Sequence, residues 1–153
     1  MFDILIFLFE NYPQIALAPD RDTLTIKLHA VGFNVSEIEL ALDWISDLGS
    51  LNSTQYPASL TEHHAIRVYA PYELERIDVE SRGFLFFLEH AGVLNPLQRE
   101  WIIDRALALG VSEASLEKIK WIALIVLWCQ NPNQDYLLLE DLLFNNGTSL
   151  AIH

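Results

Sequence analysis

Residues 1–10 read MFDILIFLFE, a run that is apolar apart from Asp3 and Glu10. Its apolar side chains occupy the whole circumference of a helix beginning near Asp3, and a short helix that is apolar all round is typical of a buried element. The run is too short to span a bilayer, which takes about 20 apolar residues. It also lacks the basic start of a secretory signal. We therefore expect a central core helix in a cytosolic protein with no membrane segment.

The composition is that of an acidic globular protein. The 153 residues carry a formal net charge of -12, and 52% of them are hydrophobic. Residues 1–60 hold eight acidic and two basic residues, residues 61–125 hold ten and seven, and residues 126–153 hold three and none. Such a field repels nucleic-acid phosphates and anionic membranes, so neither is expected as a partner without a local basic patch.

Helical patterns dominate the chain, and they predict a mostly α-helical protein built from two parts that share one core. Residues 1–70 form an N-terminal helical subdomain, and residues 71–153 form a C-terminal helical bundle on which it packs. The alternation of apolar and polar residues in AIRVYAP, residues 65–71, leaves open a short edge strand or wing that would complete the first part.

Residues 20–49 read as a helix, a turn and a second helix. Gly32 stands where a left-handed C-terminal cap belongs, Ser36 and Glu39 have the spacing of a capping box, and Gly49 closes the second helix. An apolar stripe on that helix faces inward, formed by Ile38, Ala41, Leu42, Ile45 and Leu48. The pattern predicts a helix-turn-helix-like hairpin.

The second helix of this hairpin has the composition of a protein-binding surface rather than a DNA-binding one. It carries four acidic residues and no Lys or Arg, the reverse of a helix that faces phosphates. Leu40 and Trp44 are four residues apart and flank the inward stripe. They are candidate contacts for a partner protein. The acidic residues around them favour a basic partner. The alternative is that Trp44 packs in the core under the opening helix.

The segment ERIDVESRGF, residues 75–84, is the sharpest candidate for an anion site. Arg82 and the free amides of a helix beginning near Ser81 could hold an anion, and Gly83 would permit its close approach. The alternative is a structural role in which arginines pair with Glu75, Glu80, Glu89 and Asp104. The candidate arginines, for an anion or for an interface, are Arg67, Arg76, Arg82, Arg99 and Arg105.

The sequence contains none of the common local motifs for catalysis or cofactor binding. There is no nucleophile elbow, zinc-protease helix, phosphate-binding loop or dinucleotide fingerprint. His63 and His64 are adjacent, so they do not share one face of a helix or strand as metal ligands would. Cys129 lies in the apolar run WIALIVLWC and is expected to be a buried, inert thiol. We expect no catalytic residue, no metal and no cofactor.

The stretch from Arg67 to Leu107 resembles the bacterial Smg family, as do the opening MFD and the GF turn at Gly32. The residues that carry the resemblance are Arg67, Tyr69, Pro71, Glu75, Arg76, Arg82, Gly83, Phe84, Leu85, Phe87, Leu88, Glu89, Val93, Leu94, Arg99, Glu100, Arg105, Lys120 and Trp121. The resemblance extends over nearly the whole chain. It implies a small cytosolic bacterial protein and supplies no catalytic residue.

Three functions remain open on the sequence alone. The first is a non-catalytic cytosolic adaptor or regulatory protein that acts through contacts with another protein. The second is a nucleic-acid-associated regulator that uses the central basic residues, and the third is an enzyme of unknown chemistry. Charge distribution favours the first over the second.

Overall fold

The computed structural model describes residues 1–12, 18–50, 67–109 and 114–130, together with the single positions 140, 141 and 144. Within the four ranges the chain forms seven α-helices, so the fold is mostly α, as the sequence predicts. In chain order the helices are α1 Phe2–Asn11, α2 Arg21–Val31, α3 Val35–Ser50, α4 Pro71–Arg76, α5 Val79–His90, α6 Pro96–Leu107 and α7 Leu116–Gln130.

Helix α1 is the buried element that the opening run predicts. Ile4, Leu5 and Leu8 are completely buried, and Phe9 packs edge-on against Trp128 of α7, with ring centroids 5.5 Å apart. Asp3 lies in the first turn of α1 rather than at its cap, which is Met1. A carboxylate in that turn still interacts favourably with the positive end of the helix dipole.

Helices α2 and α3 follow each other along the chain, and α3 packs against both α1 and α2. The helix-turn-helix-like arrangement stays a prediction. Gly32 adopts the expected left-handed conformation with φ of 117°, and its amide donates to the carbonyl of His29. The start of α3 differs from the prediction. The side chain of Asn34 accepts a hydrogen bond of 2.8 Å from the amide of Ser36, so the cap stands two residues earlier than Ser36. Gly49 lies inside α3.

Helices α4 to α6 each begin at a residue that favours the start of a helix. Pro71 and Pro96 each occupy the first position of a helix, where the missing amide proton costs nothing. Asn95 caps α6 and exchanges hydrogen bonds with Gln98 in a capping box. Helix α5 begins at Val79, because the carboxylate of Asp78 accepts from the amide of Ser81 at 2.7 Å.

Contacts divide the described residues into two units. Unit 1 consists of those in Met1–Ser50 and Leu124–His153, and unit 2 of those in Leu51–Ala123. Helix α7 therefore contributes its first half to unit 2 and its second half to unit 1, and it is buried almost continuously from Ile119 to Trp128. The predicted division at residue 70 stays a prediction.

The short β element proposed for residues 65–71 is not found in its described part. Residues 67–70 are neither helix nor strand, and the only ladder contact in the described ranges is an isolated parallel bridge between Ile77 and Ala114. The side chain of Arg67 pairs with Glu73 of α4 and with Glu100 of α6, and the backbone of Arg67 does not pair with a described strand. None of the described helices is both long and apolar enough to cross a membrane.

Candidate functional site

The most highly charged cluster in the described residues lies in unit 2 and centres on Arg67. Its guanidinium donates to both carboxylate oxygens of Glu73, at 2.7 and 2.9 Å, and to both oxygens of Glu100, at 3.0 to 3.2 Å. Glu73 is buried and its carboxylate also accepts from the amide of Ala70. One arginine thus joins the segment before α4, α4 itself and α6.

The same cluster continues along α6 to Arg99. This buried side chain pairs with Glu100 at 3.0 Å and with Glu89 of α5. The hydrogen bonds from Arg67 hold the pKa of Glu73 below its ordinary value, and those to Glu73 raise the pKa of Arg67. Both groups are therefore charged at neutral pH. We call the whole cluster of two arginines and three glutamates the Arg67 network, comprising Arg67, Glu73, Glu89, Arg99 and Glu100.

Two further arginines also bond to protein acceptors. Arg105 is buried and pairs with Asp104 at 2.6 Å. Arg76 is exposed and donates to the carbonyl of Leu107 at 3.1 Å. The pairs that the sequence suggests through Glu89 and Asp104 are thus present, whereas neither Glu75 nor Glu80 pairs with an arginine within the described ranges.

Arg82 differs from the other four arginines. Its guanidinium lies over the ring of Tyr69, with the central carbon 5.9 Å from the ring centroid, and no acidic or carbonyl partner is found for it among the described residues. Its Nε atom is buried without a hydrogen-bond acceptor, as is Nε1 of Trp101. The free helix amides predicted beside Arg82 are not available at Ser81, because Asp78 already accepts from that amide.

Burial also sets the chemistry of Tyr69, which lies between Arg67 and Arg82. The central carbon of Arg67 is 4.8 Å from the Tyr69 ring centroid, closer than that of Arg82. Removal from water raises the pKa of the Tyr69 hydroxyl, and the nearby guanidinium of Arg67 opposes the rise only in part. Tyr69 is therefore neutral at physiological pH and keeps its hydrogen-bond donor.

The two candidate contacts on α3 have different environments. Leu40 is 57% exposed, whereas Trp44 is 3% exposed and belongs to the core of unit 1. A side chain that is already covered cannot offer its surface to a partner, so the alternative interpretation of Trp44 as a core residue is the one that the structure supports. Leu40 stays available, next to the exposed carboxylates of Glu37, Glu39 and Asp43.

An open groove of about 390 Å³ lies between α1 and α2 in unit 1. Its lining is mainly apolar and includes Phe7, Tyr12, Leu28 and Val31, with Lys27 as its charged side chain. The groove holds no pair of acidic groups that could act together as general acid and base. It has the character of a binding recess for an apolar side chain rather than of a polar cleft.

Cys129, a further sequence candidate for chemistry, has no activating polar partner among the described residues. Burial raises the pKa of the Cys129 thiol to about 12, so the thiol is protonated and a poor nucleophile at neutral pH. No group of three or more potential metal ligands occurs in the part of the chain that the structure describes. His63 and His64 lie outside that part.

Comparison with known proteins places the chain in a family. A family model described as "Protein of unknown function (DUF494)" matches residues 1–152. The chain is 51% identical to the Protein Smg homolog of Nitrosomonas europaea over 142 residues, 93% of each chain. The chain belongs to the Smg family. It is also 44% identical to the Protein Smg homolog of Methylobacillus flagellatus over 147 residues, 96% of this chain and 97% of the relative.

The Smg family resemblance stated from the sequence is thereby confirmed over nearly the full length. A relative in Vibrio cholerae, also a Protein Smg homolog, is 41% identical over 150 residues, 95% of each chain. No solved structure matches the chain. Four of the residues that carry the resemblance belong to the Arg67 network: Arg67, Glu89, Arg99 and Glu100.

Sequence reasoning missed Glu73 and Glu100 as the partners of the arginines in this Smg-family chain. The signal for Glu73 was present, since a Glu in the third position of a short helix after Pro71 is placed to reach back to the preceding amide. For Glu100 the sequence offers only its neighbour Arg99. Nothing in the sequence indicates that Arg67 approaches α6.

Proposed function

We propose that this Smg-family protein is a non-catalytic cytosolic adaptor or regulatory protein, and that it binds a basic protein partner through the helix-turn-helix-like hairpin of α2 and α3. The observation that carries the proposal is the outer face of α3. Leu40 is exposed there beside Glu39 and Asp43, and α3 contains no Lys or Arg.

The exposed carboxylates of α3 can exchange their present ionic contacts for those of a partner. Asp43 pairs with Arg21 at 2.8 Å, and Glu37 lies 3.7 Å from the N-terminal ammonium of Met1. All these carboxylates and Arg21 are well exposed, and surface ion pairs of this kind contribute little stability. The negative field of the α3 carboxylates would speed the encounter with a basic surface of a partner protein and would favour one orientation of that partner.

Apolar side chains on the same hairpin supply area that a partner could cover. Ile26 and Val31 of α2, and Val35 and Leu40 of α3, are all exposed. The recess between α1 and α2 adjoins this set through Val31. An apolar centre with a charged rim is the usual composition of a protein–protein interface.

The competing function, regulation in association with nucleic acid, needs accessible basic side chains. Arg99 and Arg105 are buried and bonded to carboxylates, and Arg67 is shared by two glutamates. A phosphate could reach them only by displacing these pairs, which costs desolvation of the carboxylates left behind. An enzymatic function has no site of convergent titratable groups in its favour within the described residues.

The test compares variants that differ in the position of one exposed apolar residue. Leu40→Ser alters the α3 face, and Val68→Ser, at a residue 83% exposed in unit 2, is the matched control. Tagged parent and variant proteins are used to capture partners from bacterial cells at about 50 and about 300 mM salt, because ionic contacts weaken with screening. Both variants should melt like the parent.

We expect a basic protein to be captured by the parent and by Val68→Ser, to be lost with Leu40→Ser, and to be released at the higher salt. Equal capture by the parent and by Leu40→Ser would contradict the assignment to α3. Duplex DNA is measured alongside by fluorescence anisotropy. Micromolar binding at about 50 mM salt, with a steep salt dependence abolished by removing Arg99 and Arg105, would favour the nucleic-acid function instead.

A further inference from the structure

We infer that the outer face of α5 in unit 2 is a second binding surface, and that it receives a partner segment carrying a carboxylate beside apolar side chains, with Arg82 as the residue that pairs with the carboxylate. The surface consists of Val79, Arg82, Gly83 and Phe86 and is called the Arg82 face. It is independent of the basic partner proposed for α3.

The state of Arg82 is the first observation behind this inference. Arg67, Arg76, Arg99 and Arg105 each bond to a carboxylate or a carbonyl, while Arg82 does so with no described residue. Its Nε atom is buried without an acceptor, and buried polar groups in folded proteins are nearly always hydrogen-bonded. The ring of Tyr69, whose centroid is 5.9 Å from the central guanidinium carbon of Arg82, attracts the cation but supplies no acceptor.

The apolar neighbours of Arg82 are the second observation. Val79 and Phe86 are three residues before and four residues after Arg82, so all three share one side of α5. Val79 is 72% exposed and Phe86 is 51% exposed, with the Phe86 ring held 4.2 Å from the ring of His90. Val79 and Phe86 are therefore large, exposed and apolar, and they lie on either side of Arg82 on the helix. A partner could make apolar and ionic contacts together on this surface.

Gly83 provides the room for an approaching chain. A Cβ atom placed on Gly83 would meet nothing within 4 Å, so the helix surface there is open. Because Gly83 is adjacent to Arg82 and lies between Val79 and Phe86, a partner backbone can come close to α5 at the point where its carboxylate would meet the guanidinium. Arg favours such planar, two-point pairing with a carboxylate.

The charges around α5 favour a single carboxylate over a polyanion. Asp78 and Glu80 stand at the start of the helix, and the whole chain carries a net charge of -12. A nucleic acid would bring many phosphates into this field, whereas one carboxylate flanked by apolar side chains meets only the guanidinium at close range. The expected ligand is therefore a segment of a partner protein with one Asp, Glu or terminal carboxylate next to an aromatic or aliphatic residue.

The experiment uses a small probe with the same chemistry, 3-phenylpropionate, and its uncharged counterpart 3-phenylpropionamide. Each is titrated into the full-length 15N-labelled protein while the amide signals of Gly83 and Phe86 and the Nε–H signal of Arg82 are followed by NMR. Inorganic phosphate is titrated separately. Arg82→Gln and Phe86→Ser test the surface, and Arg76→Gln is the matched arginine control because Arg76 is exposed and bonds only to a carbonyl.

We expect saturable shifts with 3-phenylpropionate, at least fivefold weaker affinity for the amide probe, and at least fivefold weaker affinity in Arg82→Gln and in Phe86→Ser, with Arg76→Gln like the parent. Equal binding of the two probes, unchanged binding in Arg82→Gln, tighter binding of phosphate, or no saturable shift would each overturn the inference. So would the same shifts on concentrating the protein alone, since they would assign the face to a second copy of the chain.

Discussion

Replacing Arg67 by Met tests whether the Arg67 network is structural. The substitution keeps most of the side-chain length but removes the guanidinium that bonds to Glu73 and Glu100. Glu100 would retain Arg99 as a partner. Glu73 would retain only the amide of Ala70, and its carboxylate would stay buried.

The cost of Arg67→Met follows from these contacts. Removing one partner of a fully buried ion pair costs about 3–5 kcal/mol, because the other charge remains buried without compensation. Arg67 is 21% exposed in its side chain, so water reaches part of the site and a lower figure applies. We expect a loss of roughly 2–4 kcal/mol in the free energy of unfolding, which is roughly 5–15 °C in melting temperature for a domain of this size.

Urea unfolding of the parent, Arg67→Met, Glu73→Gln and the double variant measures the coupling between the two residues. Arg76→Met is the control, since it removes an exposed guanidinium with one carbonyl acceptor. The double variant should be more stable than the sum of the two single losses implies, because it leaves no stranded carboxylate. A loss in Arg67→Met no larger than in Arg76→Met, or strictly additive single losses, would refute the structural interpretation of the network.

Three other predictions follow from buried groups. Leu8→Ala should destabilise the protein by about 2–5 kcal/mol and Glu10→Ala by less than about 0.5, as measured by urea unfolding. The folded protein holds the pKa of Glu73 below its ordinary value of 4.5. The ionised carboxylate therefore stabilises the fold at pH values above 4.5. This contribution is lost as the pH falls through the lower pKa that Glu73 has in the folded state. Glu73→Gln should therefore show a shallower loss of melting temperature than the parent below about pH 4.5. Cys129, with a pKa of about 12, should react with iodoacetamide at pH 7.5 at least about tenfold more slowly in the native protein than in urea.

The helical framework could be predicted because its strongest signals are local. The all-round apolar pattern of residues 4–9 predicts burial wherever the helix is placed, and the structure buries Ile4, Leu5 and Leu8 completely while Ile6 and Phe7 are partly exposed. Gly32 and the pair Asn95 and Pro96 act through backbone conformation and a neighbouring amide. None of these effects depends on which distant segment packs nearby.

Helix starts were less predictable where two residues could serve as caps. Ser36 with Glu39 has the spacing of a capping box, yet Asn34 accepts the amide of Ser36 and begins α3 earlier. In the same way Asp78 accepts the amide of Ser81 and begins α5 before the expected position. Asn and Asp are as good as Ser at a cap, so the sequence alone does not decide between neighbouring candidates.

The difference between Leu40 and Trp44 lies in their angles on α3. At 3.6 residues per turn, Trp44 is about 95° from the centre of the inward stripe and Leu40 about 135°. A long aromatic side chain at the smaller angle can reach the core, and Trp44 is buried accordingly. A leucine at the larger angle is too short to do so. The prediction that Leu40 and Trp44 form one contact surface did not take this difference in angle into account.

The arginines show why a binding site is harder to predict than a helix. Four of the five arginines in residues 67–105, all but Arg67, have an acidic residue within four positions in the sequence, so local charge balance suggests that these four are paired. The folded chain instead places two glutamates, Glu73 and Glu100, on Arg67, while Glu75 and Glu80 pair with no arginine in the described ranges. Arg82 consequently has no carboxylate partner among the described residues, although Glu80 is two residues away. Residues two apart on a helix point in different directions, so that proximity in sequence gives no ion pair. The lack of an ion pair for Arg82 among the described residues therefore follows from the packing of distant segments, and adding a carboxylate from outside the chain tests whether the guanidinium can bind one.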